Sequence, residues 1–546
     1  MKSVVRLIAG VATALTLCAP VFAAQAPMVT APAGMLTGET SGAIDVFKGI
    51  PFAVPPVGPL RWKAPVALPR WNGVRTATQF GPACVQPKSQ LNTIYTDPPP
   101  STSEDCLTLN IWSPTNARNA PVLVWIYGGA LWGGFSNEPI YDGAALASRG
   151  IVVVSINYRL GVLGWLAHPG LSAESPLNIS GNYGLLDQIE ALHWIKRNIA
   201  AFGGDPSKVT IAGESAGGLS VMYLMASPMA RGLFAGAIAQ SAYMVSTPDL
   251  REHKFGMTPA EETGTQFASR LQAKSIADLR AMDPDKITAA AAAAGFPPFG
   301  AVDGHVLTGQ LVDVFDKGEQ AHVPILAGFN SGEIRSLGIL APPTPASANV
   351  YEQSIHAHYL DLADDFLKLY PSSNMHESIL ATTRDALYGW TAERMVRNQT
   401  AAGLPSFLYL FDHPYPAADN VGLHAFHASE LPYMFGTLDR TAPYWPKAPA
   451  TPEERAFSDA MVDYWASFVK TGRPQAASAP AWQPYDSTRA YMAFKDTPQP
   501  SEHVMPGMFE LNEAVMCRKK ASGSIPWNWN VGLASPVLPA KSDACP

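Results

Sequence analysis

The sequence predicts an α/β protein with a large, mostly parallel central sheet flanked by helices. Short apolar runs alternate with helical patterns along the chain, which is typical of a parallel sheet covered on both faces. The chain has 546 residues, of which 47% are hydrophobic and 15% charged, so it can bury a large core. Neither an internal repeat nor a low-complexity linker divides it. These observations favour one large domain with inserted segments.

The N-terminal residues are typical of a secretory signal. Lys2 and Arg6 precede an apolar stretch over residues 7–19, and Val21-Phe22-Ala23 offers a small residue for cleavage. We therefore expect residues 1–23 to be a signal peptide and the protein to be secreted or periplasmic. A buried N-terminal helix is the alternative. Since no later stretch reaches 18 continuous apolar residues, we expect no membrane anchor.

Six apolar runs predict the strands of the sheet, and each is bounded by Gly, Pro, Asn or Asp. They cover residues 122–127, 151–157, 209–212, 236–240, 325–328 and 407–411.

The helical patterns lie between and after these strands. From Leu186 onward, apolar residues recur every three or four positions, which predicts a helix that Asn182 caps. Residues 249–294, rich in Ala, Glu and Lys, predict several helices inserted before the later strands. The tail from about residue 519 has no clear period. We expect residues 24–546 to form a single domain that includes this helical insertion and tail.

The cysteine count agrees with export. Cys18 lies in the predicted signal, which leaves Cys84, Cys106, Cys517 and Cys545. Four cysteines allow three pairings. The local pairs, 84 with 106 and 517 with 545, fit an oxidising compartment best, and unpaired buried thiols are the alternative. Because no Cys-x-x-Cys or His-rich spacing occurs, we expect neither a metal site nor a cofactor.

A strand, a Gly-x-Ser-x-Gly motif and a helix follow one another over residues 209–226. Gly213 and Gly217 flank Ser215 at a turn so sharp that a Cβ at either glycine would collide with backbone. The turn would lift the Ser215 hydroxyl above the sheet edge. This arrangement predicts an α/β-hydrolase fold with Ser215 as a nucleophile. The alternative is a structural serine in a turn.

A serine nucleophile requires a base, and the base must be oriented by a third group. In this fold the chain order is Ser, then Asp or Glu, then His. His427 is the favoured base because of its surroundings, residues 425–436, and His424 is its main rival. Glu333, in a loop after a predicted strand, is the candidate acid. A solvated surface carboxylate is the alternative for Glu333.

Ordered motifs across nearly the whole chain resemble those of the type-B carboxylesterase and cholinesterase family. The motifs are Val46-Phe-Lys-Gly-Ile-Pro-Phe-Ala, Ser103-Glu-Asp-Cys-Leu-Thr-Leu-Asn, Trp125-Ile-Tyr-Gly-Gly-Ala, Asn157-Tyr-Arg-Leu-Gly, Gly184-Leu-Leu-Asp-Gln, Ala201-Phe-Gly-Gly-Asp and the Gly-Glu-Ser-Ala-Gly-Gly turn. The resemblance implies an α/β-hydrolase fold and a carboxylic-ester hydrolase. It also implies that Glu333 is the triad acid and His427 the base.

The same resemblance assigns further residues. A tetrahedral oxyanion needs backbone N–H donors fixed in advance, and the family pattern gives this role to Gly129, Ala130 and Ala216. Many relatives have a glycine in place of Ala130, a difference that leaves the N–H usable. The resemblance also implies three pairs: the Cys84–Cys106 disulfide and the buried ion pairs Arg61–Glu104 and Arg159–Asp187.

The expected substrates are neutral esters of small to medium size, cleaved through an acyl-enzyme. Cholinesterases hold a quaternary ammonium over a Trp, but the segment 84–106 contains Tyr95 and no Trp, so we do not expect a choline ester specialist. Leu131 and Trp132 are assigned to the substrate pocket, with plain core packing as the alternative for the indole. Arg335 is assigned to the same pocket as a contact for a substrate carboxylate. Its alternative is a structural ion pair.

Two other functions fit the same fold: a lidded lipase, and a binding protein without catalysis. The presence of Ser215, Glu333 and His427 speaks against the second. A nucleic-acid partner is not expected, since the net charge is −7 and no basic stripe is present. The sequence assigns no oligomeric state.

Overall fold

The computed structural model of the chain describes residues 26–88, 93–528, 531–543 and 545. The predicted signal peptide, residues 1–23, lies outside these residues.

The strands are numbered in chain order. They are β1 Met28–Ala31, β2 Gly34–Thr37, β3 Glu39–Ser41, β4 Ile44–Pro51, β5 Val74–Thr76, β6 Ala83–Cys84, β7 Thr102–Ser103, β8 Thr108–Pro114, β9 Ala120–Ile126, β10 Val152–Ile156, β11 Gly204–Glu214, β12 Gly236–Gln240, β13 Ile325–Asn330, β14 Ser406–Phe411, β15 Ala490–Phe494 and β16 Pro498–Glu502.

The α-helices are numbered in the same way. They are α1 Ala144–Ser148, α2 Gly161–Trp165, α3 Pro169–Ser172, α4 Tyr183–Asn198, α5 Ala216–Ala226, α6 Ala260–Arg270, α7 Ile276–Ala281, α8 Pro284–Ala293, α9 Leu311–Asp316, α10 Ala348–Tyr359, α11 Ala363–Leu369, α12 Met375–Arg384, α13 Trp390–Ala401, α14 Pro416–Asp419, α15 Leu431–Phe435, α16 Pro452–Thr471 and α17 Met508–Ser522. A π-helix, Asp385–Gly389, joins α12 to α13.

The central sheet has eleven strands in the order β16-β15-β14-β13-β12-β11-β9-β10-β8-β4-β3. Neighbouring strands from β15 to β10 pair in parallel, and antiparallel pairs stand at both ends. Every residue of β10 and β12 is buried, because helices cover both faces of the sheet. The predicted mostly parallel sheet is confirmed.

The predicted elements match the observed ones closely. All six predicted strands are present as β9 to β14, and three helices, α6 to α8, form the insertion. The prediction for Asn182 is wrong in one respect. Asn182 precedes α4, but its side chain makes no capping hydrogen bond. It bonds instead to both backbone groups of Ala301, each at 2.9 Å, so it fastens the helix start to a distant loop.

The covalent and ionic pairs implied by the resemblance are all present. Disulfides join Cys84 to Cys106 and Cys517 to Cys545. The guanidinium of Arg61 lies 2.6 Å from Glu104, and that of Arg159 lies 2.7 Å from Asp187. Residue 519 belongs to α17 rather than to an irregular tail. No helix among residues 26–88, 93–528 and 531–543 has the length and apolar character needed to cross a membrane.

Candidate active site

Ser215 occupies the sharp turn between β11 and α5. Its φ of 56° and ψ of −121° are unusual for a residue with a Cβ and are of the kind held at functional turns. A Cβ on Gly213 would lie 2.4 Å from the carbonyl carbon of Gly217, and one on Gly217 would lie 2.0 Å from the oxygen of Ile126. Only glycine fits at these two positions, as the sequence predicted.

Glu333 and His427 meet at the ends of two separate chain segments. Glu333 begins a 3-10 turn after β13 and is fully buried, and His427 lies in the loop before α15. Glu333 Oε2 is 2.5 Å from His427 Nδ1. On the other side of the ring, His427 Nε2 lies 3.1 Å from Glu214 Oε1. The structure therefore holds the imidazole between two carboxyl groups.

Ser215 and His427 line the same cavity. In the part of the chain that the structure describes, Ser215 Oγ makes no hydrogen bond, either to the imidazole or to another group. Catalytic hydrogen bonds are often long in ligand-free proteins and tighten when substrate binds. The rival base, His424, is exposed and bonds through Nδ1 to Asp419 at 2.6 Å. It does not line the cavity.

The charges around the imidazole shift its protonation. Burial acts to lower the pKa of His427, but the carboxylates of Glu214 and Glu333 outweigh it and raise that pKa above its ordinary value. Burial also raises the pKa of Glu214. The ionisation of the imidazole is consequently coupled to that of Glu214.

Three backbone N–H groups lie beside Ser215 without an acceptor in the described chain: those of Gly129, Ala130 and Ala216. Gly129 and Ala130 have φ values of 94° and 56°, and both line the cavity. Ala216 is the first residue of α5 and is fully buried next to Ser215. Unused N–H donors at a helix start and in a tight turn are well suited to an oxyanion.

The cavity has a volume of about 500 Å³, and most of its lining is apolar or aromatic. Besides His427, four acidic or basic side chains line it, namely Asp97, Glu138, Glu214 and Arg440. Arg440 is bound to Asp142 at 2.7 Å. No cluster of three or more His, Cys, Asp or Glu side chains within the described ranges is arranged to hold a metal ion.

The sequence matches the Carboxylesterase family over residues 25–509. The chain belongs to the carboxylesterase family.

Relatives and solved structures agree with this membership. The chain is 37% identical over 481 residues to the para-nitrobenzyl esterase of Bacillus subtilis (strain 168), covering 85% of this chain and 93% of that protein. It is 34% identical over 465 residues to the fumonisin B1 esterase of Sphingopyxis macrogoltabida, covering 83% and 84%. A solved PNB esterase superimposes with a TM-score of 0.76 at 34% identity, over 88% of this chain and 97% of the other. The activity of this carboxylesterase is therefore ester hydrolysis.

The carboxylesterase departs from the sequence prediction in its pocket lining. Leu131, Trp132 and Arg335 do not line the cavity. The chain turns back at Leu131 (φ 61°), whose side chain is fully buried, so the following indole packs near the ring of Phe296. Arg335 forms an ion pair with Glu377 at 2.5 Å. This contact agrees with the alternative interpretation of Arg335, a structural ion pair.

Other residues around the base had no role in the sequence analysis. Glu214 could have been found from its place inside the Gly-x-Ser-x-Gly motif. The Tyr95 hydroxyl lies 2.8 Å from the His427 carbonyl oxygen, to which it donates, a contact that no local pattern indicates. The Asn330 backbone N–H donates a hydrogen bond to Glu333 at 2.8 Å, and its side-chain amide donates one to Glu430 at 2.7 Å. Asn330 therefore connects Glu333 to the segment that carries His427.

Proposed function

We propose that this carboxylesterase cleaves esters by two-step acyl transfer, with Ser215 as nucleophile, His427 as general base and Glu333 as the acid that orients it. The contact that supports this most strongly is the 2.5 Å bond between Glu333 and His427, because it fixes one ring nitrogen of a histidine that lines the same cavity as Ser215. Such an arrangement of nucleophile, base and orienting group defines a catalytic triad by geometry.

In the first step, His427 Nε2 takes the Ser215 proton while Oγ bonds to the ester carbonyl carbon. The tetrahedral intermediate collapses when the carbon–oxygen bond to the alcohol breaks, and the imidazolium returns its proton to the departing oxygen. In the second step, His427 takes a proton from water, whose oxygen bonds to the acyl carbon. The bond from that carbon to Ser215 Oγ then breaks, the imidazolium returns its proton to Oγ, and the acid is released. Glu333 holds the imidazole orientation and stabilises its charged form throughout.

The negative oxygen of the intermediate requires donors that are already oriented. We assign this role to the N–H groups of Gly129, Ala130 and Ala216, which have no other acceptor in the described chain. Since Ala130 already has a positive φ, its methyl group does not prevent the turn that such a donor needs.

The preferred substrates are small to medium esters without net charge. A cavity of about 500 Å³ with a mostly apolar lining suits such molecules. Arg335 offers no contact for a substrate carboxylate, because Glu377 occupies its guanidinium.

The decisive experiment compares two histidine variants against the nucleophile variant. Ser215→Ala and His427→Ala should each lower kcat for 4-nitrophenyl butyrate by about three orders of magnitude or more, with an unchanged fold. His424→Ala is the matched control and should stay within about threefold of wild type. A fluorophosphonate should label Ser215 in the wild-type enzyme. Loss of activity in His424→Ala but not in His427→Ala would overturn the assignment of the base, and absence of labelling would favour a binding protein.

We further infer that the enzyme is exported, either secreted or periplasmic, as one catalytic domain over residues 24–546. Two disulfides fit an oxidising compartment, and the charged and apolar segments of residues 1–23 fit a cleaved signal.

A further inference from the structure

Two tyrosines that line the cavity have hydroxyl groups without a hydrogen-bond partner. Tyr243 is 9% exposed and Tyr388 is 3% exposed. Among the residues that the structure describes, neither phenol oxygen contacts a donor or an acceptor. Neither phenol oxygen is among the fully enclosed unpartnered atoms of the described residues, and both tyrosines line the cavity. Each hydroxyl group is therefore open to the cavity and available to bond an acceptor there.

Both rings stand beside the proposed catalytic groups. They meet edge to face, with centroids 6.0 Å apart. The Tyr388 ring lies 5.3 Å from the imidazole of His427. Tyr243 follows β12 closely, and the last residue of that strand, Gln240, accepts the Ser215 backbone N–H at 2.9 Å. A substrate joined to Ser215 therefore lies in the cavity that both tyrosines line.

The local backbone supports a functional position for Tyr388. It lies on the π-helix Asp385–Gly389, which interrupts α12 and α13. A π-helical turn is less stable than the α-helix around it, and such turns occur frequently at functional sites. Here the turn brings Leu387 and Tyr388 into the cavity lining.

The hydroxyl groups act as donors rather than as phenolates. Burial raises the pKa of Tyr243 and of Tyr388 far above the neutral range. Carboxyl groups, including that of Glu214, raise both further. Each phenol thus retains its proton and can donate it to an acceptor oxygen.

We propose that Tyr243 and Tyr388 form a hydrogen-bonding subsite for an ether or carbonyl oxygen of the substrate, outside the ester group that is cleaved. The preferred substrates are then oxygen-containing esters rather than esters of pure hydrocarbon chains. This deepens the proposed function and rests on it, since it assumes that Ser215 cleaves an ester in this cavity. A site built to bond a substrate oxygen discriminates against the analogue without it, because the site's polar groups stay unpaired.

The test uses pairs of esters that differ in one oxygen at constant chain length. For the acyl side, 4-nitrophenyl 4-methoxybutanoate and 3-ethoxypropanoate are compared with 4-nitrophenyl hexanoate. For the alcohol side, 2-methoxyethyl hexanoate is compared with butyl hexanoate. The selectivity, kcat/KM for the oxygen-containing ester over its hydrocarbon match, is measured in wild type and in variants. Because each variant is compared with wild type on the same pair, intrinsic reactivity cancels.

The variants are Tyr243→Phe, Tyr388→Phe and the double variant, which remove only the hydroxyl groups. Tyr409→Phe is the matched control, since its hydroxyl is fully buried and does not line the cavity. Each cavity variant should lower the selectivity on one of the two sides by about 3- to 10-fold. The rate on the matching hydrocarbon ester should fall by a smaller factor than the rate on the oxygen-containing ester.

Three results would overturn the subsite. They are equal selectivity in wild type and the double variant, an equal loss on both members of a pair, or an equal effect of Tyr409→Phe. The side that responds, acyl or alcohol, identifies where the oxygen is bound. Failure of the proposed function is distinguishable, because wild type would then cleave none of the esters or Ser215→Ala would retain the wild-type rate.

Discussion

At the scale of single residues, His427 has more acidic neighbours than a triad requires. Glu333 bonds one ring nitrogen, and Glu214 lies 3.1 Å from the other. Glu430 adds a third carboxyl group nearby, which Asn330 and Gln240 hold by hydrogen bonds. These groups stabilise the imidazolium, so the base loses its proton at a higher pH than an ordinary histidine does.

This environment predicts the pH dependence of the reaction. Only neutral His427 can take the Ser215 proton, so kcat/KM should be low near pH 6 and rise with pH. The midpoint should lie above about 6.5, the ordinary histidine value. Glu214→Gln removes one of the charges that raise the pKa, and it should move the midpoint down by about 1 pH unit. Rates with 4-nitrophenyl butyrate between about pH 5 and pH 10 give both midpoints.

Asp419→Asn provides the control for this shift, because Asp419 bonds the exposed His424 and not the base. The midpoint of the pH profile of kcat/KM in Asp419→Asn should equal that of wild type. A profile that stays flat down to about pH 4, or a midpoint that Glu214→Gln leaves in place, would contradict the assigned electrostatics.

The residues that the sequence could identify are those with a local backbone requirement. Ser215 is recognisable because only glycine fits at positions 213 and 217. The cavity lining was not recognisable in this way. Leu131 and Trp132 follow the oxyanion turn in sequence, but φ is positive at Ala130 and Leu131, and neither Leu131 nor Trp132 lines the cavity. Tyr388 enters the cavity through a π-helical turn that no apolar period reveals.

At the scale of elements, apolar strands of the parallel core were predictable, whereas edge strands and buried strands interrupted by polar residues, such as β8, were not. The runs that became β9 to β14 are continuously apolar because both their faces are covered. β16, Pro498–Glu502, contains two prolines and lies at the edge of the sheet. Proline has no N–H, but at an edge strand this removes no hydrogen bond between strands. Its sequence therefore reads as a loop.

The segment closed by the Cys84–Cys106 disulfide contacts His427. It carries Tyr95, whose hydroxyl donates to the His427 carbonyl oxygen at 2.8 Å. The second disulfide, Cys517–Cys545, joins α17 to the C-terminal residues, and neither of its cysteines lines the cavity. The two disulfides thus have different neighbours, although both close loops of similar length.

This difference predicts separate effects on stability and rate. Cys84→Ser with Cys106→Ser, and Cys517→Ser with Cys545→Ser, should each lower the free energy of unfolding by about 3 kcal/mol through loop entropy. Only the first double variant should also lower kcat, by about 10-fold, because the loop that holds the His427 carbonyl is released. Urea unfolding and steady-state rates measure the two effects. An equal loss of kcat in both variants would contradict the link through Tyr95.

At the scale of the whole molecule, the cavity lowers the stability of the protein at high pH. Glu138 lines the cavity, and its Oε1 accepts a hydrogen bond from the Phe135 N–H at 3.3 Å. No Lys, Arg or His in the described residues forms an ion pair with it. Burial raises the pKa of Glu138 to about 8, so the folded protein keeps a proton that the unfolded chain releases. The stability that this proton provides is complete below the unfolded pKa and is lost as pH rises through about 8.

Glu138→Gln removes this titration while keeping the shape of the side chain. The melting temperature of the variant minus that of wild type should therefore increase from about pH 5 to about pH 9, by about 4 °C. The increase should build up steadily above the pKa of the unfolded carboxyl, about 4.3, and level off above about 8, where the folded carboxyl is ionised as well. Glu502→Gln, at an exposed position on β16, is the matched control, and its difference from wild type should be the same at each pH. Parallel melting curves for wild type and Glu138→Gln across this range would show that Glu138 ionises as easily in the folded protein as in the unfolded chain.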